Sequence, residues 1–283
     1  MYYSMIHVEN LTFGYSSKKI LYSRLNLTLE TGSIYGLLGK NGAGKSTLLK
    51  ALIGTLYPLS GHISVNNFYP ADRKPSFLET IYFIPEEVSV PRLSARNYLD
   101  LYAGFYPQFD ENLFYKSLQL LEVGTDRKLN TLSFGQQKKF AIAFGIACNT
   151  RVLIMDEPTN GMDIPSKAQF RRLVSMVFSQ EKLLLISTHQ VKDLENMIDR
   201  VIIVDEGKLL LHHSLGDIVS RLCFTSIARM PQDDSDILYA EPSLQGIAVV
   251  IPNSEGLDSK INLEQLFQAV TAKPDMIQSI FSD

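Results

Sequence analysis

The hydrophobic positions of the first 206 residues follow two alternating patterns. Short strand-like runs, several of them continuously apolar, alternate with longer segments in which apolar residues recur at helical spacing. This alternation is typical of an α/β fold with a mainly parallel sheet flanked by helices, because strands of such sheets are buried on both faces. The predicted strands are Ile6–Phe13, Asn26–Leu29, Ile34–Leu38, Tyr82–Ile84, Val152–Met155, Leu183–Ser187 and Val201–Val204.

A stretch without strand-like runs interrupts the alternation between about residues 85 and 130. Helical spacing is clear there at Tyr98, Tyr102 and Phe105, and the stretch is dense in aromatic residues. We therefore expect a helical insertion at about residues 86–135. Most of its aromatic side chains should form a small core, and the remainder would suit a groove for a helix of a partner protein.

The C-terminal part of the chain has its own hydrophobic pattern. The apolar run Gly246–Ile251 and one amphipathic helix are enough for a small α/β appendage. We therefore divide the chain into a main domain, residues 1–213, and a C-terminal accessory region, residues 214–283. The apolar positions of the predicted helix are Leu263, Leu266, Phe267 and Val270.

Composition and charge narrow the classes of protein. The chain is 45% hydrophobic, and its net charge of -3 gives no sequence-wide attraction to nucleic acid; the acidic excess lies in residues 207–283.

The longest mostly apolar run, Phe140–Cys148, is shorter than the ~18 residues of a membrane span, and the N-terminus lacks a secretory pattern. Cys148 and Cys223 are far apart and suggest neither a disulfide framework nor a metal cluster. We expect a soluble protein of the reducing cytoplasm.

A glycine-rich segment after the third predicted strand carries the first chemical motif. It reads Gly-Lys-Asn-Gly-Ala-Gly-Lys-Ser and opens a helix, which is the context of a phosphate-binding P-loop. In such a loop backbone N–H groups turn towards phosphate oxygens, the lysine reaches the β- and γ-phosphates, and the serine ligates Mg²⁺. The residues predicted to bind the phosphates are Gly39, Asn41, Gly42, Ala43, Gly44, Lys45, Ser46 and Thr47.

Two consecutive carboxylates, Asp156 and Glu157, end a second buried strand. Carboxylates buried without partners cost several kcal/mol, so acids at the carboxyl end of a strand usually face a cation or solvent. Asp156 is predicted to bind Mg²⁺, directly or through water. Glu157 is predicted to orient and deprotonate a water molecule that attacks the γ-phosphate.

With these motifs the chain resembles the ATP-binding subunits of ABC transporters over roughly residues 5–212. Leu132–Gln136 stands where that family has its signature loop, and a helix begins there. The resemblance implies that Ser133, Gly135 and Gln136 contact the nucleotide held by the opposite subunit of a dimer. Phe134 departs from the glycine that is usual in this loop.

Four further residues take their predicted roles from the resemblance. Asp163 stands in the family's D-loop and would bridge two subunits, and His189 matches the switch histidine that contacts the γ-phosphate. Tyr15 matches the aromatic residue that stacks on adenine; a residue at a sheet edge is the alternative. Glu86 stands where the family has a glutamine that reaches the metal, so we expect it to contact Mg²⁺ and to couple nucleotide state to the helical insertion.

The resemblance also implies the whole activity. It predicts a P-loop fold of the ABC ATPase type with an N-terminal antiparallel β part. It also predicts an Mg²⁺-dependent ATPase activity in which ATP is sandwiched between the two subunits of a head-to-tail dimer. The second subunit would be an identical or a related ATPase chain. The protein would lie at the cytoplasmic face of the inner membrane and power transport of an unknown substrate, with export favoured, through a separately encoded transmembrane permease.

Two other classes remain open at the level of sequence. The first is a soluble ABC-type ATPase that acts on DNA or on a protein assembly. The second is a small-molecule kinase or a GTPase that uses the same P-loop. The chain has no Asn-Lys-x-Asp sequence, with which GTPases read guanine, and neither enzyme of the second class would explain Leu132–Gln136.

Overall fold

The computed structural model describes residues 4–16, 19–244 and 246–282 of the chain. The strands within these residues are β1 (Ser4–Ser16), β2 (Lys19–Glu30), β3 (Ser33–Leu38), β4 (Ser60–Val65), β5 (Ile81–Ile84), β6 (Val152–Asp156), β7 (Leu183–Thr188), β8 (Arg200–Asp205), β9 (Lys208–Ser214), β10 (Leu222–Ile227), β11 (Tyr239–Ser243) and β12 (Gly246–Pro252). The helices are α1 (Lys45–Leu52), α2 (Pro75–Leu78), α3 (Ala95–Tyr102), α4 (Glu111–Leu120), α5 (Phe134–Ala147), α6 (Ile164–Val177), α7 (Leu215–Arg221), α8 (Leu263–Ala272) and α9 (Pro274–Phe281).

These elements group into two compact units. Within the described residues, the first unit takes Met1–Ile34 and Lys45–Thr188, and the second takes Tyr35–Gly44 and His189–Asp283. Every strand predicted from the sequence is present. The mixture of parallel strands, antiparallel strands and helices confirms the predicted α/β class.

The first unit contains an antiparallel sheet and a set of parallel strands. The antiparallel sheet has the order β2-β1-β4, and β5, β6 and β7 pair in parallel in that order. Strand β4 was not predicted, because only Ile63 and Val65 of its six residues are buried. In the parallel set every residue of β6 and β7 is buried, and Asp156 is the register partner of Ser187.

The helical insertion lies between β5 and β6, a region that the structure describes without gaps. Its named elements are α3, α4 and α5 with short 3-10 turns. Phe114, Phe140 and Phe144 are buried and form the aromatic core, which Tyr98 joins edge to face against both residues of α5. Phe105, in contrast, is exposed, so the aromatic stretch supplies both a core and surface.

The second unit contains the remaining strands and the C-terminal appendage. Residues 35–38 of β3 pair in parallel with β8, which pairs in turn with β9 in antiparallel fashion. The appendage has an antiparallel sheet of order β10-β12-β11 together with α8 and α9. Leu263, Leu266 and Val270 of α8 are buried, as the amphipathic spacing predicted, and Phe267 is half-buried.

The predicted boundary of the accessory region, between residues 213 and 214, lies at the junction of β9 and α7. Ser214 is the last residue of β9, and its hydroxyl accepts the N–H of Asp217 to cap α7. Cys148 and Cys223 are both free thiols and buried. Among the described residues, no helix combines the length and the apolar character that a membrane crossing requires.

Candidate functional site

The first unit places Asp156 and Glu157 at the carboxyl end of β6, and both side chains are buried. The hydroxyl of Ser187 donates to Oδ1 of Asp156, as the parallel register allows. The carboxylate of Glu157 has partners at both oxygens: Nζ of Lys45 lies 3.6 Å from Oε1, and the Thr188 hydroxyl donates to Oε2 at 3.1 Å. The lysine of the phosphate-binding segment and the proposed base are therefore neighbours.

Glu157 has an unusual backbone conformation. Its φ of 46° lies in the left-handed region, which costs a residue other than glycine of order 1 kcal/mol. Two groups secure this conformation: the N–H of Glu157 donates to the carbonyl of Ser187 at 3.1 Å, and its own carbonyl accepts from Nζ of Lys138 at 2.7 Å. Strain of this kind persists only where the surroundings hold it, and it is concentrated at functional sites.

The glycine-rich segment adopts the backbone that a phosphate loop needs. In the second unit, a Cβ at Gly39 would lie 2.6 Å from the carbonyl oxygen of Val204, so the close approach of two backbones requires glycine there. Gly42 and Gly44 have φ of 83° and 106°, and the N–H of Ala43 donates to the carbonyl of Lys40 at 3.1 Å. Successive turns of this type point N–H groups inward and form an anion-binding cradle.

The same segment continues along the chain into helix α1 of the first unit. Lys45 and Thr47 are buried, whereas Ser46 is half-buried and Asn41 is exposed. The hydroxyl of Tyr15 is 2.7 Å from that of Thr47. Tyr15 is 65% exposed, and its ring contacts the ring of Phe13 in a T-shaped arrangement. The ring is thus held in place by Phe13 and Thr47 while much of it is accessible to solvent.

The predicted signature loop forms the start of α5. Ser133 is the N-cap residue, and its hydroxyl accepts the N–H of Gln136 at 3.4 Å. Phe134 is 53% exposed, and a Cβ at Gly135 would meet no atom within 4 Å. Packing within the described chain therefore gives no reason for glycine at position 135.

Asp163 and Glu86 have structural partners of their own. Asp163 is the N-cap residue of α6, where Oδ1 accepts the N–H of Ser166 at 2.9 Å, and hydrogen bonds from Ser166 lower the pKa of its carboxyl. Glu86 is half-buried, and its Oε1 accepts from Nδ2 of Asn160 at 2.9 Å. The loop that opens the helical insertion is thus tied to the loop after β6.

His189 stands at the start of the second unit, directly after the last residue of β7. It is exposed, and the short 3-10 turn Val191–Leu194 follows it. This placement at a strand end is the one that the sequence predicted. Its predicted contact with a γ-phosphate stays a prediction.

The residues proposed to hold Mg²⁺ offer only oxygen atoms, the ligands that this ion prefers. They are the hydroxyl of Ser46 and the carboxylates of Asp156 and Glu86. Their chemistry fits the ion. In the described part of the chain, no three His, Cys, Asp or Glu side chains converge as a metal cage.

Two residues of the site were missed by the sequence analysis. Thr188 donates to Glu157, and Lys138, which is 1% exposed, donates to the Glu157 carbonyl. Burial lowers the pKa of Lys138, although the carboxylates of Glu86, Glu157 and Asp156 act to raise it. The available signal was its spacing: in α5 Lys138 shares a helical face with the buried residues Ile142 and Gly145.

Comparisons with known proteins agree with this geometry. The family model described as "ABC transporter" matches residues 22–160. The bacitracin transport ATP-binding protein BcrA of Bacillus licheniformis is 33% identical over 216 residues, which are 73% of this chain and 69% of that protein. The Nod factor export ATP-binding protein I of Burkholderia lata is 30% identical over 67% of this chain and 64% of that protein.

A solved structure described as the ATP-binding subunit of an ABC transporter has the same fold. It superposes with a TM-score of 0.67 at 26% identity, over 76% of this chain and 92% of that one. The chain therefore belongs to the family of ATP-binding subunits of ABC transporters. It is an ATP-binding protein with the ATPase fold of that family, and the kinase and GTPase alternatives are excluded.

Proposed function

We propose that the protein is an Mg²⁺-dependent ATPase in which Glu157 is the general base. The observation that carries the proposal is the buried pair of Lys45 Nζ and Glu157 Oε1, 3.6 Å apart, at the end of a strand. A lysine that neutralises phosphate charge and a carboxylate that accepts a proton from water are thus within reach of one another. A positioned base contributes ~10²–10⁴-fold to a rate.

The remaining roles follow the chemistry of each side chain. Phosphoryl transfer requires that charge be stabilised rather than that the protein supply a nucleophile. Lys45, the N–H groups of Gly39–Gly44 and His189 would bind the phosphates, and Tyr15 would stack on adenine. Ser46, Asp156 and Glu86 would hold Mg²⁺, which when bound neutralises phosphate charge.

The start of α5 favours a role for a second subunit. Ser133, Gly135 and Gln136 lie at the N-terminus of a 14-residue helix, where N–H groups and the helix dipole attract anions. Space is open beside Gly135. We propose that these residues and Asp163 serve the nucleotide bound by the partner, so that two subunits clamp ATP head to tail and separate after hydrolysis.

A separate permease is the proposed membrane partner. The similarity to transport proteins favours this partner over a DNA or protein assembly, and it supports a position at the cytoplasmic face of the membrane. Export is the proposed direction, because one relative is named as an export protein. The exposed aromatic residue Phe105 and its neighbours in the helical insertion are the proposed contact surface.

The variant Glu157→Gln tests the base role. The amide keeps the size of the side chain but accepts no proton, so we expect phosphate release to fall at least about a hundredfold while ATP still binds. The control is Glu87→Gln, an exposed neighbour of Glu86, which should hydrolyse ATP at the wild-type rate. Full activity of Glu157→Gln would remove Glu157 from the role of base.

A further inference from the structure

Lys138 is a charged residue in a buried position that the proposed mechanism does not use. Its side chain is 1% exposed, although it lies in the second turn of α5, close to the exposed N-terminus of the helix. Lysines are almost never fully buried unless they are paired, because taking an ammonium group out of water costs several kcal/mol. The contacts of Lys138 must therefore compensate this cost.

The hydrogen bonds of Lys138 go to the loop that carries the proposed base. Nζ donates to the carbonyl oxygen of Glu157 at 2.7 Å and, over a longer distance of 3.5 Å, to that of Asn160. The first bond fixes the carbonyl of a residue whose φ is 46°. Lys138 thus helps to stabilise the strained backbone that directs the Glu157 carboxylate towards Lys45.

Glu86 belongs to the same cluster. Its Oε1 accepts from the side chain of Asn160 at 2.9 Å, so Glu86 and Lys138 hold the same loop, one through the side chain of Asn160 and the other through its carbonyl. Glu86 stands where the family has an uncharged glutamine and therefore adds a negative charge. The carboxylate of Glu86 acts to raise the pKa of Lys138, as an opposite charge does, and both residues hydrogen-bond to Asn160.

Phe134, the second residue that departs from the family's pattern, also lies near Lys138. Nζ of Lys138 lies 5.9 Å from the ring centroid of Phe134, one helical turn earlier, within the range of a cation–π interaction. The two unusual residues of the site, Glu86 and Phe134, are thus both neighbours of one buried ammonium group.

We infer that Lys138 is a positioning residue, which holds the backbone of Glu157 and Asn160 against α5 and whose charge is matched to the carboxylate of Glu86. The inference rests on the proposed function, because the orientation of Glu157 affects turnover only if Glu157 acts as the base. Helix α5 would then contribute to two nucleotide sites. Ser133 at its start would contact the nucleotide bound by the partner subunit, and Lys138 would orient the base that acts on the nucleotide bound by its own chain.

Steady-state kinetics of Lys138→Met test the positioning role. Methionine fills the space but neither donates a hydrogen bond nor carries charge. We expect kcat to fall about ten- to a hundredfold, as small displacements of a catalytic group do, and KM for ATP to change less than about twofold. The matched control is Lys139→Met; Lys139 is half-buried in the same helix, contacts Gln169 at 3.4 Å and should leave kcat unchanged.

Either of two kinetic results would overturn the positioning role. One is a wild-type kcat in Lys138→Met. The other is a raised KM with an unchanged kcat, which would make Lys138 a residue of nucleotide binding.

Thermal unfolding without nucleotide tests the charge matching independently of hydrolysis. We expect Glu86→Gln/Lys138→Met to melt at a higher temperature than Lys138→Met, since the double variant has lost the unpaired carboxylate together with the ammonium. If Lys138→Met alone does not fold, a folded double variant gives the same support. A double variant that melts no higher than Lys138→Met, or failure of both variants to fold, would contradict the matching.

The two tests separate this inference from the proposed function. A wild-type protein that hydrolyses no ATP would refute the proposed function, and the melting comparison would still decide whether Lys138 and Glu86 are matched.

Discussion

The ionisable side chains that are almost completely removed from solvent in the first unit include Lys45, Glu157 and Lys138. Each has a partner of opposite charge or a hydrogen-bonding carbonyl within 3.6 Å, as the cost of burial requires. The arrangement limits how these residues can be replaced. Removal of one partner leaves the other as a buried charge, which is usually more destabilising than loss of the pair.

His212 on β9 provides a residue-scale prediction about pH. Its Nε2 is buried and finds no hydrogen-bond partner among the described residues, and burial, aided by Arg200 and His213, lowers the pKa of its imidazole from 6.5 to about 4. The unfolded chain therefore binds a proton at a higher pH than the folded chain. We expect the free energy of unfolding to decrease as pH falls from about 6.5 to about 4, by up to about 1.4 kcal/mol per pH unit.

Urea unfolding at several pH values checks this prediction. His212→Gln should flatten the pH dependence in that interval, because glutamine does not titrate. The exposed His62→Gln serves as the control and should keep the wild-type slope. Equal slopes in wild type and His212→Gln would show that another group causes any loss of stability in acid.

At the scale of elements, the residues proposed to act on ATP lie at the ends of strands and at the starts of helices. The parallel register of β6 and β7 brings Asp156 beside Ser187. The residue that follows each of these two, Glu157 and Thr188, forms the next hydrogen bond between the two segments. Helix α5 begins at an exposed N-cap, Ser133, and reaches the buried Lys138 within two turns. The first two turns of this helix therefore combine a solvent-facing N-cap with a buried contact to the backbone of the proposed base.

Two serine caps allow the role of the start of α5 to be tested. Ser133 caps α5 and Ser94 caps α3 in the same way, so replacing either with alanine should cost about 1 kcal/mol of stability. Only Ser133→Ala should weaken ATP-dependent dimerisation of the Glu157→Gln protein, because only this hydroxyl is proposed to meet the partner's nucleotide. Sedimentation velocity with and without ATP measures the difference.

The result that would contradict this role is also clear. If Ser133→Ala and Ser94→Ala dimerise equally well, α5 does not contact the partner's nucleotide. If the Glu157→Gln protein stays monomeric with ATP at high concentration, the clamp itself is wrong.

At the scale of the whole molecule, the chain combines an ATPase of a transporter family with an acidic C-terminal region. Residues 207–283 contain 5 basic and 10 acidic side chains, and α8, α9 and the sheet β10-β12-β11 give them a packed core. The proposed contact with the permease lies elsewhere, in the aromatic helical insertion.

Isolation of the protein from its native membranes tests the permease proposal. We expect a polytopic membrane protein to co-purify in mild detergent, and Phe105→Asp to release it, because a charge in an apolar contact is costly. Leu257→Asp, at an exposed apolar residue of the C-terminal region, is the control and should retain the partner. Co-purification of DNA or a soluble assembly instead would favour the alternative class, and ATP-driven uptake into everted vesicles would mark export.

Much of the fold and the site followed from local sequence. The continuous apolar runs predicted the strands, and the glycines and carboxylates after them predicted the phosphate loop and the pair Asp156–Glu157. These features are local, because strand burial, glycine backbones and helix starts depend on neighbouring residues. Strand β4 escaped prediction because its half-exposed Ser-Gly-His-Ile-Ser-Val sequence has too few apolar positions.

The sequence by itself determined the family and the α/β class, and it supplied the residues that are proposed to carry out ATP chemistry. Only the tertiary structure decided that Glu157 has a left-handed backbone, that Asn160 donates to Glu86, and that the ammonium of Lys138 donates to the Glu157 carbonyl. The physical reason is the separation along the chain: the hydrogen bonds that link Glu86 to Asn160 and Lys138 to Glu157 arise only when distant segments pack, and no local pattern encodes them.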